Sequence, residues 1–187
     1  AREGREYSYE ELVRLAATTT GGVSIVNADH PDFVAPGDMP ARIRAYCART
    51  GQPVPVDDGA LTRCILDSLA LGYRFAVDDL AAVTGRPVPA VQVVGGGSRN
   101  QLLNQTVADA TGLPVVAGPA EATALGNVLV QLIALGEVED LAQAREVVRT
   151  SAGPEIRRVE PSSADHLAER YSVYHELVAT DRAAAGG

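Results

Sequence analysis

The sequence predicts a layered α/β domain on a small, mostly parallel sheet. Three observations lead there. Short β-branched runs alternate with longer helical patterns through the middle of the chain, as in βαβ units. One run, Val91-Gln92-Val93-Val94, enters Gly95-Gly96-Gly97-Ser98 and then a helical pattern, the strand–turn–helix order of such a unit. Aromatics make up 4% of residues and Trp is absent, so the core rests on Ala, Val and Leu, which favours helices packed closely on a sheet.

The elements follow in order. Ser8 caps a helix over 9–17, with Glu10 and Glu11 in its first turn. Residues 24–27 read as a short strand-like piece and 29–37 as a turn-rich loop. Asp38 opens a helix from 39 or 40 to 50, with Pro40 tolerated in its first turn and Gly51 as its stop. Residues 52–56 are extended. Asp57 or Asp58 then caps a long helix to about Val83, ended by Gly85. Residues 90–94 form a strand, 100–110 a helix and 113–116 a second strand. Helices over 121–135 and 141–148 follow, then an extended piece at 155–159 and a last helix over 164–179, with a frayed tail at 183–187. Two strands are well marked. A sheet that small is a poor free-standing core, which points to a partner lobe.

A chain of 187 residues is long enough for one domain with a sizeable core. Apolar content of 46% and charged content of 21% exclude a disordered or membrane class. The net charge of −8 argues against nucleic acid as a partner. No apolar run reaches the roughly 18 residues of a membrane-crossing helix, so no membrane is implied. The start is charged, lacks Met and has no signal-peptide core. The chain therefore reads as a cut piece of a longer, cytoplasmic protein.

The glycine turn is the strongest chemical signal. Glycines between a strand and a helix let bare backbone approach another molecule, and a helix N-terminus favours an anion. Asn100 and Asn104 fall on one helix face, where their amides could bond an adenine edge or a ribose. The competing reading is a tight structural turn with polar surface residues. The turn fits neither G-x-G-x-x-G nor G-x-x-x-x-G-K-[ST], and no G-x-S-x-G is present. In Gly118-Pro119-Ala120-Glu121-Ala122-Thr123-Ala124-Leu125-Gly126-Asn127, the small residues predict a tightly packed internal helix. The pairs Asp57-Asp58 and Asp78-Asp79 and the cluster Glu137-Glu139-Asp140 are explained by capping and solvation, and no catalytic base emerges. Cys47 and Cys64 read first as two buried thiols, and no metal-ligand spacing connects them to His30, His166 or His175.

These residues resemble the C-terminal lobe of FGGY-type carbohydrate kinases. Such kinases carry a Gly-Gly-Gly turn and, a helix and a strand later, a Glu-Ala-[Ser/Thr]-Ala-Leu-Gly helix, matched here by Glu121 through Gly126. Asn27-Ala28-Asp29-His30-Pro31-Asp32-Phe33, Pro36-Gly37-Asp38-Met39, Thr50-Gly51-Gln52-Pro53-Val54-Pro55 and Cys64-Ile65-Leu66-Asp67-Ser68-Leu69-Ala70-Leu71 resemble the rhamnulokinase branch. The resemblance runs from about Tyr7 to Val148. It implies a three-layer α/β/α, helix-rich, actin-like ATPase (ribonuclease H-like) fold. Residues 1–187 would be the second, nucleotide-side lobe, truncated at its start, with the N-terminal lobe as its missing partner. Gly96 would approach the α-phosphate or nucleoside, Gly95, Gly97 and Ser98 would shape the turn, and Asn100 would border the adenine, with Asn104 a turn further on. The implied reaction moves the ATP γ-phosphoryl to the 1-hydroxyl of L-rhamnulose with Mg²⁺. The catalytic Asp, the sugar-binding residues and the segment gripping the β- and γ-phosphates would lie upstream. The isolated lobe would bind ATP weakly and transfer nothing. Another ketose, such as fuculose or xylulose, or a non-catalytic actin-like module binding nucleotide or a partner, remains an alternative. Neighbouring antiparallel helices could also bring Cys47 and Cys64 within disulfide range.

Overall fold

A computed structural model describes residues 6–162 and 166–185. Seven α-helices are described: α1 (Tyr9–Ala17), α2 (Met39–Arg49), α3 (Asp58–Thr84), α4 (Gln101–Thr111), α5 (Ala122–Ala134), α6 (Leu141–Ala152) and α7 (Ala168–Ala185). Three short strands are β1 (Val91–Val93), β2 (Val115–Ala117) and β3 (Arg157–Val159). The charged start at 1–5, the expected opening of the last helix at 164 and the final two residues fall outside the described set. Residues 183–185, expected to fray, continue α7 as helix.

Local chemistry sets most boundaries. Ser8 and Glu11 form a reciprocal capping box at the start of α1. Asp38, Asp57 and Asp140 cap α2, α3 and α6 through their side chains. Gly85 and Gly112 end α3 and α4 in the left-handed conformation.

The sheet order is β1-β2-β3, with β1 and β2 parallel and β2 and β3 antiparallel, so the expected mostly parallel sheet is mixed. Val91, Val93, Val115 and Ala117 are buried while Gln92 is exposed, the period-two pattern of a sheet packed on one face. Leu66, Ala70 and Leu71 of α3 and Leu103, Val107 and Ala108 of α4 share their cluster. Leu167, Tyr174 and Val178 join the same core from the C-terminal region.

Two extended segments differ from expectation. Residues 24–27 form no strand, because side chains take their backbone groups. Gln52 Oε1 accepts from Ile25 N at 3.1 Å, Gln52 Nε2 donates to Ile25 O at 2.8 Å, and Ser68 Oγ accepts from Val26 N at 2.8 Å. Residues 52–56 are extended but unpaired in any sheet, and Pro53 and Pro55 have no N–H to give to a ladder. The helix expected to be tightly packed, α5, is largely exposed. It buries Leu129 against Val138 and Ala144, with Leu132 and Ile133 alongside. Its small-residue half lies off that stripe, and a Cβ at Gly126 would meet nothing within 4 Å.

Cys47 and Cys64 are free thiols, which corrects the disulfide expectation. Both sit in a cluster with Val26, Ile43, Tyr46 and Leu61. The packing of α2 on α3 buries the two thiols in one cluster instead. The neighbouring Cys47 thiol, with burial, raises the Cys64 thiol above its ordinary value, and Cys64 in turn lowers Cys47.

Buried tyrosines make the fold sensitive to alkali. Burial, followed by the charge of Asp29, pushes Tyr174 up to about 12 from 10.0. Burial, followed by its hydrogen bond to Asp181, raises Tyr46 further. Below pH 10 these phenols are protonated in folded and unfolded chains alike, and their contribution to stability is complete. Above it the unfolded chain releases protons that the folded chain retains. The melting temperature is therefore expected to fall steadily from pH 10 to 12, and Tyr174→Phe should flatten that decline in a thermal melt series.

Candidate functional site: a paired turn at the carboxyl end of the sheet

The chain turns sharply after both parallel strands, and the two turns are tied together. Gly118 N donates to Val93 O at 2.8 Å and Gly95 N donates to Pro119 O at 3.3 Å. Gly95 has φ +76°, which excludes other residues without strain. Gly118 has φ +106°, and an added Cβ would lie 2.9 Å from Glu155 O, so backbone proximity also requires glycine there. The peptide between Gly118 and Pro119 is cis. Ligands of open α/β sheets bind beyond the carboxyl ends of the strands, where these turns lie.

Gly96–Arg99 is a 3-10 turn, and the α-helix begins only at Gln101. That shifts the helix start from Ser98, where the strand–turn–helix pattern would place it. Ser98 N and Oγ both donate to Gly95 O, at 3.1 and 2.7 Å. A Cβ at Gly95 or Gly96 would meet nothing within 4 Å, while one at Gly97 would touch Val93 at 3.7 Å. The outer rim of the turn is thus bare backbone facing open space. That leaves the backbone of Gly95 and Gly96 open to approach by another molecule.

Asn100 and Asn104 are 2% exposed each and look inward. Asn100 Oδ1 accepts from Leu103 N at 3.0 Å as the cap of α4, and its Nδ2 donates to the Tyr9 hydroxyl at 2.8 Å. Asn104 Nδ2 donates to Ser98 O at 2.8 Å, while its Oδ1 is buried with no hydrogen-bond partner among the described residues. The two amides brace the turn from behind. Their spacing on one helix face was readable in the sequence, but their inward direction was not. Tyr9 carried no signal at all, because its contact spans 91 positions.

Arg99 and Glu121, both exposed, approach to 4.0 Å and link the rims of the two turns. Glu121 is the N-cap residue of α5 and makes no side-chain capping bond. An exposed pair of this kind adds little stability. Away from the turns, Asp67 is fully buried. It accepts from Gly22 N at 2.7 Å and pairs with Arg63 Nε at 2.8 Å. This joins α3 to the segment after α1 and was missed in the sequence, where Asp67 lies within an apolar helical stretch. Among the described residues, no group of three or more His, Cys, Asp or Glu is placed to hold a metal ion. No helix among them is long and apolar enough to cross a membrane.

Comparison with known proteins addresses the same architecture. The rhamnulokinase of Bacteroides thetaiotaomicron is 49% identical over 144 residues, covering 77% of this chain and 30% of the relative. The rhamnulokinase of Enterococcus faecalis is 43% identical over 171 residues, covering 90% of this chain and 34% of the relative. The chain thus spans about a third of the length of these relatives. The crystal structure of xylulose kinase from Rhodospirillum rubrum superposes with a TM-score of 0.60 at 25% identity, over 96% of this chain and 34% of that one. The helix-rich α/β architecture expected from the resemblance is therefore found within a solved sugar kinase. A family model described as the C-terminal domain of the FGGY family of carbohydrate kinases matches residues 1–135, including both turns, and with that the chain belongs to the FGGY family.

Proposed function

We propose that this chain, over residues 1–187, is the nucleotide-side lobe of an ATP-dependent kinase acting on the 1-hydroxyl of L-rhamnulose. The observation that carries the substrate is its 49% and 43% identity to two rhamnulokinases, against 25% to a xylulose kinase. The open rim at Gly95 and Gly96 supports the nucleotide half of the reading. Here Gly96 gives the nucleotide its closest backbone approach, Gly95 sets the turn, and Gly97 and Ser98 close it. Asn100 and Asn104 serve that site by bracing the turn with their amides rather than by bonding the nucleotide. Mg²⁺ bound with ATP would neutralise phosphate charge during transfer. The base and sugar-binding groups belong to the N-terminal lobe, so the isolated chain binds ATP weakly and turns over nothing. The setting is the cytoplasm, which suits two free thiols.

A ketose screen on the complete kinase tests the substrate. With ATP and Mg²⁺, kcat/KM for L-rhamnulose should exceed that for fuculose or xylulose by at least tenfold, about 1.4 kcal/mol of transition-state discrimination. A preference for xylulose would instead follow the structural neighbour. Detectable phosphorylation by the 187-residue chain alone would overturn the division of labour between lobes.

A further inference from the structure

The glycine turn is braced by a residue from outside the strand–turn–helix unit. Tyr9 lies on the first turn of α1 with 57% of its surface exposed, so its ring contributes little to the core. Its hydroxyl, however, accepts the Asn100 Nδ2 donor at 2.8 Å. The first turn of α1 is itself fixed by the capping box, in which Ser8 N donates to Glu11 Oε2 at 2.8 Å and Ser8 Oγ accepts from Glu11 N at 3.2 Å. At the other end of α1, Ala16 is fully buried in the main core. The hydroxyl is thus held by a well-anchored helix.

Asn100 passes this support to the turn. Its backbone N donates to Gly97 O at 3.0 Å, and its Oδ1 caps α4 at Leu103 N. The amide group cannot rotate without losing the cap or the tyrosine. A buried amide deprived of its acceptor is costly to leave unpaired, so removal of the hydroxyl should favour other positions of Asn100 and with them other shapes of the turn.

We infer that Tyr9 is a positioning residue for nucleotide binding, acting through the Asn100 amide to hold the Gly96–Arg99 turn in the shape that receives ATP. This rests on the reading of that turn as the nucleotide loop. It adds a residue of α1 to a site otherwise built from β1, β2 and the segments that follow them. Because the contact bridges α1 and α4, a shift of α1 would be felt at the nucleotide as a change in affinity.

Tyr9→Phe tests it in two steps. In the 187-residue chain without nucleotide, amide hydrogen exchange at 97–100 should quicken by about tenfold, with little change in the β2 amides. In the complete kinase, the ATP KM should rise by about three- to tenfold, with kcat and the sugar KM close to wild type. Unchanged exchange overturns the coupling itself. Faster exchange with an unchanged ATP KM overturns the positioning role, provided that Gly96→Val raises that KM. If Gly96→Val leaves the ATP KM unchanged as well, the nucleotide-loop reading has failed rather than the Tyr9 contact. Tyr9→Gln, which offers a side-chain oxygen to Asn100, should recover part of the slow exchange. A purely structural role would instead lower the melting temperature of both variants and move kcat along with KM.

Discussion

Gly96→Val is expected to raise the ATP KM of the complete kinase by at least tenfold while the melting temperature of the lobe stays within a few degrees. The two halves of this expectation come from the same geometry. A Cβ at Gly96 has no neighbour within 4 Å, and its φ is not in the left-handed region, so valine meets neither a clash nor backbone strain. The isopropyl group would instead occupy the space through which a ligand must reach the backbone. A tenfold loss corresponds to about 1.4 kcal/mol, a modest demand for a group placed in the path of an α-phosphate or nucleoside. Gly95→Val is the necessary contrast. At φ +76° and ψ −162°, a backbone region open essentially to glycine alone, it strains the chain by about 1–3 kcal/mol whether or not a ligand binds, so both stability and affinity should fall. Titration with ATP alongside a thermal melt separates the two variants. An unchanged ATP KM in Gly96→Val would move the nucleotide away from this turn.

Much of the fold was legible because its boundaries are set by local chemistry. The caps at Ser8 and Asp38 and the left-handed stop at Gly85 act within a few residues and fell where the pattern placed them, and of the two candidates Asp57 and Asp58 the cap is Asp57. The site was legible only in part. Three consecutive glycines mark a turn, but its 3-10 geometry depends on Asn104 reaching back to Ser98 and on Tyr9 reaching across to Asn100. Helical spacing placed Asn100 and Asn104 on one helix face, whereas Asn100 is the non-helical N-cap of α4, and the spacing said nothing about which way that face points. Packing of α4 on the sheet and α3 turns it inward. The strand-like piece at 24–27 failed for a related reason, since Gln52 and Ser68 satisfy its backbone from distant positions. The antiparallel β3 could be anticipated as extended, but its direction depends on the path of the chain through α5 and α6.

Ending the chain at residue 162 should abolish its cooperative melt, even though the family match stops at residue 135. The region removed supplies Leu167, Tyr174 and Val178 to the main core at 0%, 2% and 6% exposure. Burial of one such side chain is worth about 1.5–3 kcal/mol, so the three together approach the roughly 5–15 kcal/mol that holds a typical domain. The loss also reaches polar groups. Asp181 accepts from the Tyr46 hydroxyl at 2.8 Å and from Asn27 Nδ2 at 3.0 Å, tying α7 to α2 and to the loop after residue 24. Without α7, the fully buried Tyr46 would keep its apolar surroundings and lose its acceptor. Circular dichroism and calorimetry should show residual helix without a sharp transition. Asp181→Ala isolates the polar share and should cost about 1–3 kcal/mol while leaving the melt cooperative. A truncated chain that still melted sharply, near the temperature of the intact one, would show α7 to be an appendage. The lobe would then end near residue 162, and the core would close without the three side chains that now complete it.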